Sequence, residues 1–412
     1  MNELKSIPIS KEMVWVAYKK VKANRGSAGI DEQSIKDFDI KLSANLYKLW
    51  NRLASGSYFP PAVKEVEIPK VGGKVRKLGI PTVSDRVAQT VIKDLLEPRL
   101  EQEFHCSSFG YRPLKSAHQA LTQAAYNCRK YDMVIDLDIQ SFFDEIDHEL
   151  LRKALARHVS ERWVLMYVDR WLAAPIQKDG MLIARMKGTP QGGVISPLLA
   201  NLYLHYCFDM WMKKFHPALP FERYADDIIL HCNNPEQAND ILRQITARFS
   251  ECKLQVHPAK TKIVYCADSN RNKIKHPEIQ FQYLGYTFMP RECKSKEGKK
   301  FYGFTPAISK EAVKKINDTV RGMKLSSRVQ TTLESISTIL NPKIEGWVAY
   351  YGLFRRFELG KIFFVINRRL VRWAQRKYKR FHTRKADAVR WLKKVAQTSP
   401  ELFAHWKYGF KP

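Results

Sequence analysis

The sequence lacks any long hydrophobic run, although 45% of its 412 residues are hydrophobic. No apolar stretch reaches the roughly 18 residues that a membrane-spanning helix requires. The opening residues, MNELKSIPISKEM, contain no apolar core of a secretory signal peptide. These absences predict a cytoplasmic globular protein without a membrane partner, and the length is enough for two or three domains.

Cysteine is scarce and scattered along the chain. The seven cysteines are odd in number, and no two of them form a Cys-x-x-Cys pair. This pattern argues against a disulfide framework and against a zinc-ribbon site, and it is typical of proteins in a reducing compartment. The positions are Cys106, Cys128, Cys207, Cys232, Cys252, Cys266 and Cys293.

Acidic residues are also few, since 41 Asp and Glu stand against 70 Lys and Arg, for a net charge of +29. The excess is uneven: residues 299–412 hold 26 Lys and Arg but only 7 Asp and Glu, a net of +19, which leaves +10 for residues 1–298. Positive charge at this density repels itself, so a polyanionic partner is expected. The C-terminal part is expected to supply the stronger nucleic-acid contact.

Two adjacent aspartates stand out against this basic background, in the stretch FERYADDIILHC (221–232). Asp226 and Asp227 separate two short apolar runs, a pattern that predicts a β-hairpin with both carboxylates at its tip. Carboxylates so close together repel unless a cation neutralises them, and Mg²⁺ suits their oxygens. A solvated Asp-Asp turn is the alternative reading of an isolated pair.

A third acidic position lies in MVIDLDIQSFF (133–143), which predicts a strand. The two-residue period of a strand places Val134, Asp136 and Asp138 on one face. A carboxylate at the end of a core strand is costly unless it is liganded. Asp138 is therefore expected to be a third metal ligand if this strand lies beside the hairpin, whereas the role of Asp136 stays open between ligand and structural acceptor.

A basic β-hairpin is predicted for VKEVEIPKVGGKVRKLGIP (63–81). Its Lys70 and Arg76 either close over a triphosphate or simply blunt an exposed sheet edge. Arg112, just before a proline and a helix start, is compatible both with contact to a nucleic-acid backbone and with a structural cap.

Farther along, residues 281–288 predict one strand with Gly285 in its middle, where another backbone or a nucleic acid presses close. From about residue 306 the pattern is helical, and Pro342 predicts a break near Asn341.

Seven segments resemble, in order, the successive polymerase blocks of reverse transcriptases encoded by bacterial group II introns. They are VEIPKVGGKVRKLGIPTVSDR, SSFGYRP, VIDLDIQSFFDEIDHELL, GTPQGGVISPLLANLYL, YADD, LQVHPAKTKI and YLGYTF. The later stretch NPKIEGWVAYYG resembles the maturase region of that family, which also serves as the polymerase thumb. One YADD is weak evidence, but seven blocks in order are specific.

The resemblance implies an α+β fold, a right-hand polymerase with fingers, a palm built on an antiparallel sheet, and an α-helical thumb or maturase domain. The expected divisions are an N-terminal extension with fingers at 1–125, a catalytic palm at 126–305, a thumb at 306–381 and a short basic C-terminal tail at 382–412. Many relatives carry an endonuclease after the thumb, and the tail has no room for one.

The resemblance also implies roles for individual residues. Asp138, Asp226 and Asp227 are expected to be catalytic and to hold two Mg²⁺ ions, with Mn²⁺ as a substitute. Phe143 is expected to exclude a ribose 2′-OH. The other implied roles are dNTP binding by Lys70, Arg76, Phe143, Gln191 and Lys260, a primer grip at Tyr283, Leu284 and Gly285, and template or RNA contacts at Arg112, Trp347, Arg368, Arg369 and Arg372.

The implied function is RNA-directed DNA synthesis coupled to intron mobility, with the same protein binding intron RNA as a splicing maturase. The implied partners are group II intron RNA, an RNA template with a DNA primer, a DNA target and dNTPs, at the bacterial nucleoid. Two alternatives remain open: an RNA-binding splicing cofactor, and a domesticated enzyme of DNA repair or phage defence. The complete acidic set favours retained polymerase chemistry.

Overall fold

The fold is known from a computed structural model that describes residues 6–69, 75–271 and 275–412. The chain divides into two compact units, each made of two separate stretches. Unit 1 consists of residues 1–120 and 137–261, and unit 2 consists of residues 121–136 and 262–412. The predicted divisions at 125, 305 and 381 do not coincide with this partition, because residues 121–136 belong with the C-terminal stretch.

Helices and strands are mixed along the chain, and most strand pairs are antiparallel, as the α+β prediction requires. The helices are Lys11–Ala23 (α1), Ile35–Ile40 (α2), Leu42–Ala54 (α3), Val83–Glu101 (α4), Ala117–Asn127 (α5), Phe142–Glu145 (α6), His148–Ala156 (α7), Arg162–Ala173 (α8), Ser196–Leu204 (α9), Met210–Phe215 (α10), Pro235–Glu251 (α11), Lys310–Gly322 (α12), Leu333–Tyr351 (α13), Gly360–Lys377 (α14), Lys385–Thr398 (α15) and Ala404–Lys407 (α16). Among the described residues, none of these helices is both long and apolar enough to span a membrane.

The described residues form eleven strands. They are Val63–Pro69 (β1), Val75–Ile80 (β2), Met133–Leu137 (β3), Ile176–Lys178 (β4), Met181–Ile183 (β5), Phe221–Tyr224 (β6), Asp227–Cys232 (β7), Lys262–Tyr265 (β8), Phe281–Tyr283 (β9), Tyr286–Lys294 (β10) and Lys300–Ile308 (β11). A π-helical turn at His205–Asp209 joins α9 to α10, and short 3₁₀ turns lie at Leu325–Ser327, Arg356–Leu359 and Lys379–Phe381.

Unit 1 begins with a helical layer in which α1 packs on α3 and α4. Ser10 caps α1 by accepting a hydrogen bond from the Met13 amide. The spacing of Trp15, Tyr18 and Val21 predicts one buried helical face; Tyr18 and Val21 are buried, whereas Trp15 is 43% exposed. The buried face of α1 runs instead through Val14, which lies one position earlier.

The basic hairpin predicted for residues 63–81 is confirmed by β1 and β2, which pair antiparallel from Lys64 opposite Ile80 to Pro69 opposite Val75. Strand β1 also pairs in parallel with β4, and β4 pairs with β5, so the four strands form one sheet in the order β2-β1-β4-β5. Lys70 and the glycines of the turn lie outside the described residues.

The acidic hairpin is confirmed as well. Strands β6 and β7 pair antiparallel from Phe221 opposite Leu230 to Tyr224 opposite Asp227, so Ala225 and Asp226 form the connection. Apolar residues of β7 are completely buried, and this fixes the register because a shift of one residue would expose them.

The strand predicted for residues 133–143 is wrong in its second half. β3 ends at Leu137, and α6 begins at Phe142 because Ser141 turns the chain with a φ of +47°. The part of β3 in unit 2 pairs antiparallel with β8, from Met133 opposite Tyr265 to Asp136 opposite Lys262. Asp138 therefore lies just beyond the end of the strand.

The single strand predicted at 281–288 is also wrong. In unit 2, β9 and β10 form a hairpin in which Leu284 and Gly285 make the turn, with φ of +49° and +79°. The Ser309 amide donates to the Gly285 carbonyl at 3.0 Å. The Tyr351 ring lies 3.3 Å from where a side chain would start on Gly285, so the close neighbour in the described structure is an aromatic side chain, whereas a backbone or a nucleic acid was predicted.

Helices α12 to α16 build the apolar core of unit 2, with contributions from α13 at Leu340, Ile344 and Val348. The break predicted near Asn341 is wrong, because α13 runs unbroken through Pro342. A proline inside a helix costs about 3 kcal/mol through its missing amide and its ring. Packing of the buried face of α13 offsets that cost.

Residues 382–412 are not the predicted basic tail. Helix α15 buries Ala388, Leu392 and Ala396, and the last segment buries Phe403 and Trp406, all at 0–1% exposure. The prediction considered only the charges of this region. Its apolar residues have helical spacing, and they complete the core of unit 2.

Two asparagines fasten the last segment to the helical core. Asn341 donates to the Leu402 carbonyl at 3.0 Å and accepts from the Ala404 amide at 2.9 Å. Asn367 donates to the Phe410 carbonyl at 3.0 Å and accepts from the Trp406 indole, also at 3.0 Å. The Asn367 amide is buried and the Asn341 amide is half-buried, and each both donates and accepts, which specifies one position for the segment.

Candidate active site

In unit 1, a buried arginine stabilises the acidic turn, which is the β6–β7 connection that carries Asp226 and Asp227. Arg223, on β6, is fully buried and donates to both carboxylate oxygens of Asp209, at 2.8 and 2.5 Å. It also donates to the Asn201 side chain at 2.9 Å and to the Ala225 carbonyl at 3.1 Å. The backbone next to Asp226 is thus tied to a fully paired ionic network.

The SSFGYRP segment supports the same turn from the side. The Phe109 amide donates to the Arg223 carbonyl at 2.8 Å, and the Asn201 side chain donates to the Gly110 carbonyl at 2.7 Å. A side chain on Gly110 would begin 2.4 Å from the Ala225 amide nitrogen. Only glycine fits there, which explains why this loop can lie directly against the acidic turn.

Asp138 is positioned by the segment before β8. The His257 amide donates to the Asp138 carbonyl at 2.8 Å, and the Asp138 amide donates to the Thr261 hydroxyl at 3.2 Å. Lys260 from the same segment donates to Asp138 Oδ1 at 2.9 Å and to Oδ2 at 3.0 Å. The backbone of Asp138 is therefore fixed at the strand end, while its carboxylate holds an ammonium group.

The three aspartates share one electrostatic environment in unit 1. Burial raises the pKa of Asp226, and the charge of Asp138 raises it further, while Arg76 and Lys260 oppose the rise. Burial raises the pKa of Asp227 to about 7, and the negative charges of Asp226 and Asp138 contribute to this rise. The carboxylates thus lie close enough to repel one another, and a metal site shared by them stays a prediction.

The donor chemistry of this site fits Mg²⁺, although the side chains as placed do not form a cage. Among the described residues, no group of three or more His, Cys, Asp or Glu side chains is arranged to hold a metal ion. The Lys260 ammonium pairs with Asp138 where a cation would bind. Three mutually repelling carboxylates are the oxygen donors that a divalent cation prefers.

Two residues predicted to bind dNTP meet directly. Arg76 donates from Nε to Gln191 Oε1 at 2.9 Å, and the Gly79 amide donates to the Gln191 carbonyl at 2.8 Å. Gly192 follows with a φ of +126°, and a side chain there would begin 2.5 Å from the Gly79 carbonyl oxygen. These two hydrogen bonds join strand β2 to the TPQGG loop (189–193).

Phe143 lies on α6, where it is 7% exposed and packs edge-on against Phe142 with ring centroids 5.4 Å apart. Its carbonyl accepts from the Thr189 amide at 2.8 Å. The same loop that carries Gln191 is therefore bonded to the residue predicted to face the sugar. The role of Phe143 itself stays a prediction.

The predicted primer-grip residues lie in unit 2. Tyr283 is buried, and Leu284 and Gly285 form the turn between β9 and β10. The Tyr350 hydroxyl donates to the Leu284 carbonyl at 2.9 Å. An aromatic cluster of α13 therefore fixes the shape of this turn.

Arg112 was predicted to touch template or RNA, and the structure favours the structural alternative. Its side chain is only 5% exposed and forms an ion pair with Glu101 at 2.6 Å. Its Nη1 also donates to the carbonyls of His105 and Ser108, at 2.7 Å each. With these acceptors in place, the guanidinium braces the SSFGYRP loop instead of facing solvent.

The predicted RNA-contact arginines cluster on one side of the helical core of unit 2. Arg368 and Arg372 on α14 are exposed, and Arg369 between them is half-buried. Burial lowers the pKa of Arg369, and the charges of Arg321 on α12, Arg372 and Arg368 lower it further. Trp347 on α13 is partly buried against the core.

The sequence did not lead us to the buried residues that support the acidic turn through hydrogen bonds. Asn201 and Asp209 are buried beneath the acidic turn, and Arg223 was passed over within the hairpin motif. A signal was available, because Asn201 is the polar member of the otherwise apolar run PLLANLYL. A polar residue inside such a run must find buried partners.

Comparisons with known proteins identify the family to which this chain belongs. Residues 68–288 match the family of the reverse transcriptase (RNA-dependent DNA polymerase), which covers more than half of the chain. The chain belongs to the reverse transcriptase family. Residues 313–391 match the group II intron maturase-specific domain, so the resemblance to group II intron reverse transcriptases is confirmed. All three aspartates lie within the reverse transcriptase match, and the arginine cluster lies within the maturase match.

Curated relatives of this chain include proteins from bacteria and from fungal introns. Protein YkfC of Escherichia coli is 31% identical over 277 residues, which covers 58% of this chain and 73% of YkfC. The group II intron-encoded protein LtrA of Lactococcus lactis is 32% identical over 197 residues, 47% of this chain and 32% of LtrA. An uncharacterised 91 kDa protein in the cob intron of Schizosaccharomyces pombe is 30% identical, over 64% of this chain and 39% of its own length. The matched region thus spans less than two fifths of the last two proteins.

Proposed function

We propose that this protein is an RNA-directed DNA polymerase that extends a DNA primer with deoxynucleotides on an RNA template. The observation that carries the proposal is the convergence of Asp138, Asp226 and Asp227 on one electrostatic environment within the reverse transcriptase match. A solvated Asp-Asp turn would not need the buried Arg223 network beneath it. Acidic residues kept together against their repulsion indicate a site built for cations.

In the proposed reaction, Asp138, Asp226 and Asp227 hold Mg²⁺, with Mn²⁺ as a substitute. When bound, the metal supplies positive charge that activates the primer 3′-OH and stabilises the departing pyrophosphate. Lys260 adds its own charge at the same carboxylates. The two-ion arrangement common to polymerases is part of the proposal and is supported by the carboxylate set.

Arg76 and Gln191 are proposed to bind the incoming nucleotide together. The Gln191 side chain accepts from Arg76 Nε, which leaves the two terminal nitrogens of the guanidinium directed to phosphate oxygens. Lys70 joins them in the proposal from its place in the same hairpin. Phe143, buried on α6 and bonded to the Gln191 loop, is proposed to exclude a ribose 2′-OH.

The right-hand roles of the segments follow as part of this proposal. Strands β1 and β2 act in the fingers, the acidic hairpin and the end of β3 act in the palm, and helices α12 to α16 act as thumb. The turn at Leu284 and Gly285 acts as primer grip. Residues 382–412 join the thumb in this assignment because their apolar side chains complete its core.

A splicing role rests on a separate observation. The maturase match at residues 313–391 contains Arg368, Arg369 and Arg372, whose charges are not balanced by acidic neighbours of comparable number. A basic helical surface of this kind binds the phosphate backbone of a folded RNA. Group II intron RNA is therefore the proposed RNA partner, and a DNA target at the bacterial nucleoid is the proposed destination of mobility.

The deciding experiment is primer extension on an RNA template by the full chain with Mg²⁺ and dNTPs. The proposal expects extension that requires Mg²⁺ and that stops when ribonucleotides replace dNTPs. A chain that binds the primed template but never extends it under these conditions would contradict polymerase activity and leave the splicing-cofactor alternative in place.

A further inference from the structure

A second buried arginine in unit 1 has surroundings quite unlike those of Arg223. Arg185 lies on the loop between β5 and α9 and is only 9% exposed. Its Nη1 and Nη2 are both buried, and among the described residues neither has a hydrogen-bond partner. None of the ion pairs in the described part of the chain includes it either. The guanidinium thus has four buried N–H groups directed at no acceptor.

The positive charge on Arg185 persists in this environment. Burial lowers its pKa to about 10, and the charge of Asp144 opposes that fall. The side chain is still a cation at neutral pH. A buried and unpaired cation costs several kcal/mol, so a fold would not retain it merely for packing.

The loop that carries Arg185 is firmly attached to the segment around α6. The Thr189 amide donates to the Phe143 carbonyl at 2.8 Å, and the Gly188 amide donates to the Ile146 carbonyl at 2.7 Å. His148 Nε2 lies 2.8 Å from the Gly188 carbonyl. These bonds hold the loop beside Phe143 and fix the place of the guanidinium.

The chemistry of the missing partner follows from the guanidinium itself. A planar group with paired terminal N–H donors matches two oxygens of one phosphate. The triphosphate already has its proposed ligands in Arg76, Gln191 and Lys260. The acceptor left for Arg185 is a backbone phosphate of the strand being copied.

We propose that Arg185 binds a backbone phosphate of the primed template that the polymerase copies. This inference rests on the proposed function, since it places the phosphate in the strand being copied. Lys77 on β2 lies close enough to Asp144 to be the strongest charge acting on that carboxylate, so a second cation adjoins the same position.

The test compares Arg185→Met with Lys187→Met in the full chain. Lys187 lies on the same loop but is exposed and already paired with Glu145 at 2.6 Å, so it controls for loss of one positive charge. Each variant is measured for thermal unfolding, for binding of an RNA template–DNA primer duplex across a salt series, and for the KM of dNTP.

Arg185→Met is expected to unfold at the same or a higher temperature, because it removes an uncompensated buried charge. Its affinity for the duplex is expected to fall about tenfold or more, and the slope of log affinity against log salt to shrink by about 0.7–0.9, the value for one phosphate contact. Its KM for dNTP stays as in the wild type. Lys187→Met retains affinity and slope.

Three results would overturn the inference. They are unchanged duplex affinity in Arg185→Met, a fall in its unfolding temperature that shows a structural role, or a rise in dNTP KM with duplex affinity intact, which reassigns the contact to the triphosphate. Failure of the proposed function looks different, because a wild-type chain that binds the duplex without extending it fails as a polymerase whatever Arg185 does.

Discussion

The two units each gather charges of a single sign, and the signs are opposite. In unit 1 burial and the charges of neighbouring aspartates raise the pKa of Asp226 and Asp227, and in unit 2 burial and the charges of three arginines lower the pKa of Arg369. Like charges held together oppose folding, so each cluster indicates an absent counter-charge. The acidic cluster lies on a tight turn and a strand end, which suits a small ion. The basic cluster lies along two helices, which suits an extended polyanion.

Arg223 and Asp209 show what a compensated charge looks like in the same molecule. Both are fully buried, and their two hydrogen bonds satisfy each other. The comparison teaches that burial alone does not mark function. A charge whose partners are all supplied within the chain supports the structure, whereas a charge without partners is available to a ligand. The experiments below test this distinction, beginning with the largest expected effect.

Asp226→Asn breaks the acidic cluster with almost no change of shape. Primer extension is expected to fall about 10³-fold or more, because loss of one metal-binding carboxylate costs several kcal/mol of barrier. Affinity for the primed template should stay near that of the wild type. Parallel gel-shift and extension assays check this, and a joint loss of binding and extension would instead assign Asp226 a structural role.

Arg223→Met sharpens the contrast with the paired charge. The substitution leaves Asp209 buried without its partner, so the free energy of unfolding of unit 1 should fall by about 3–5 kcal/mol. Urea unfolding measures the change. The matched control is the double substitution Arg223→Met with Asp209→Leu, which removes both charges and should recover part of the loss. A single variant as stable as the wild type would contradict the account of the network.

Charge reversal at Arg368, Arg369 and Arg372 breaks the basic cluster. Binding of structured RNA should weaken by about 10²-fold or more, and the dependence of log affinity on log salt should flatten by roughly two to three units, since about three phosphate contacts are lost. Reversal of Arg243, an exposed arginine of α11 paired with Asp240, is the control. Equal RNA affinity in the triple variant and the control would remove this surface from RNA recognition.

The smallest expected effect is on the pH dependence of stability and comes from His405, which is buried in unit 2. Burial lowers its pKa to about 3, and its Nε2 lies 2.8 Å from Asn367 Oδ1. The unfolded chain binds a proton near pH 6.5, so the contribution of His405 to stability is complete above that pH and is lost as the pH falls toward 3, at about 1.4 kcal/mol per unit.

His405→Gln should make the pH dependence less steep between pH 6.5 and 5, while the stability at pH 8 changes less. Chemical unfolding at several pH values measures the slope. An unchanged slope would mean that the imidazole is reached by water. The expected result would show that unit 2 keeps charge out of its core while it concentrates charge on its surface.

Short-range patterns allowed much of the site to be predicted. The acidic hairpin at 221–232 and the basic hairpin at 63–81 follow from alternation and turn residues within a few positions, and both are confirmed. The family match confirms the resemblance built on the ordered motifs. The metal role is a proposal that the Asp226→Asn experiment tests.

Contacts that only the fold brings together, and one unusual backbone conformation, explain what could not be predicted. Arg112 looked like a nucleic-acid contact because its acceptors at Glu101 and the loop carbonyls are visible only in the fold. The helix through Pro342 and the ordered end of the chain depend on Asn341, whose partners lie more than sixty residues away. Ser141 ended the predicted strand through a backbone conformation that serine seldom adopts.

The division of the chain into units has a consequence for synthesis on the ribosome. Residues 121–136 leave the ribosome early, but their partner strand β8 begins only at Lys262. At 5–20 residues per second, the edge of the apolar strand Met133–Leu137 that β8 covers waits about 6–25 s for that partner. An unpaired apolar edge invites wrong pairing, so we expect a nascent chain of this protein to bind a holding chaperone during that interval. Limited proteolysis of ribosome-arrested chains would show residues 121–136 protected only once residue 265 has emerged, and protection before that point would contradict this view.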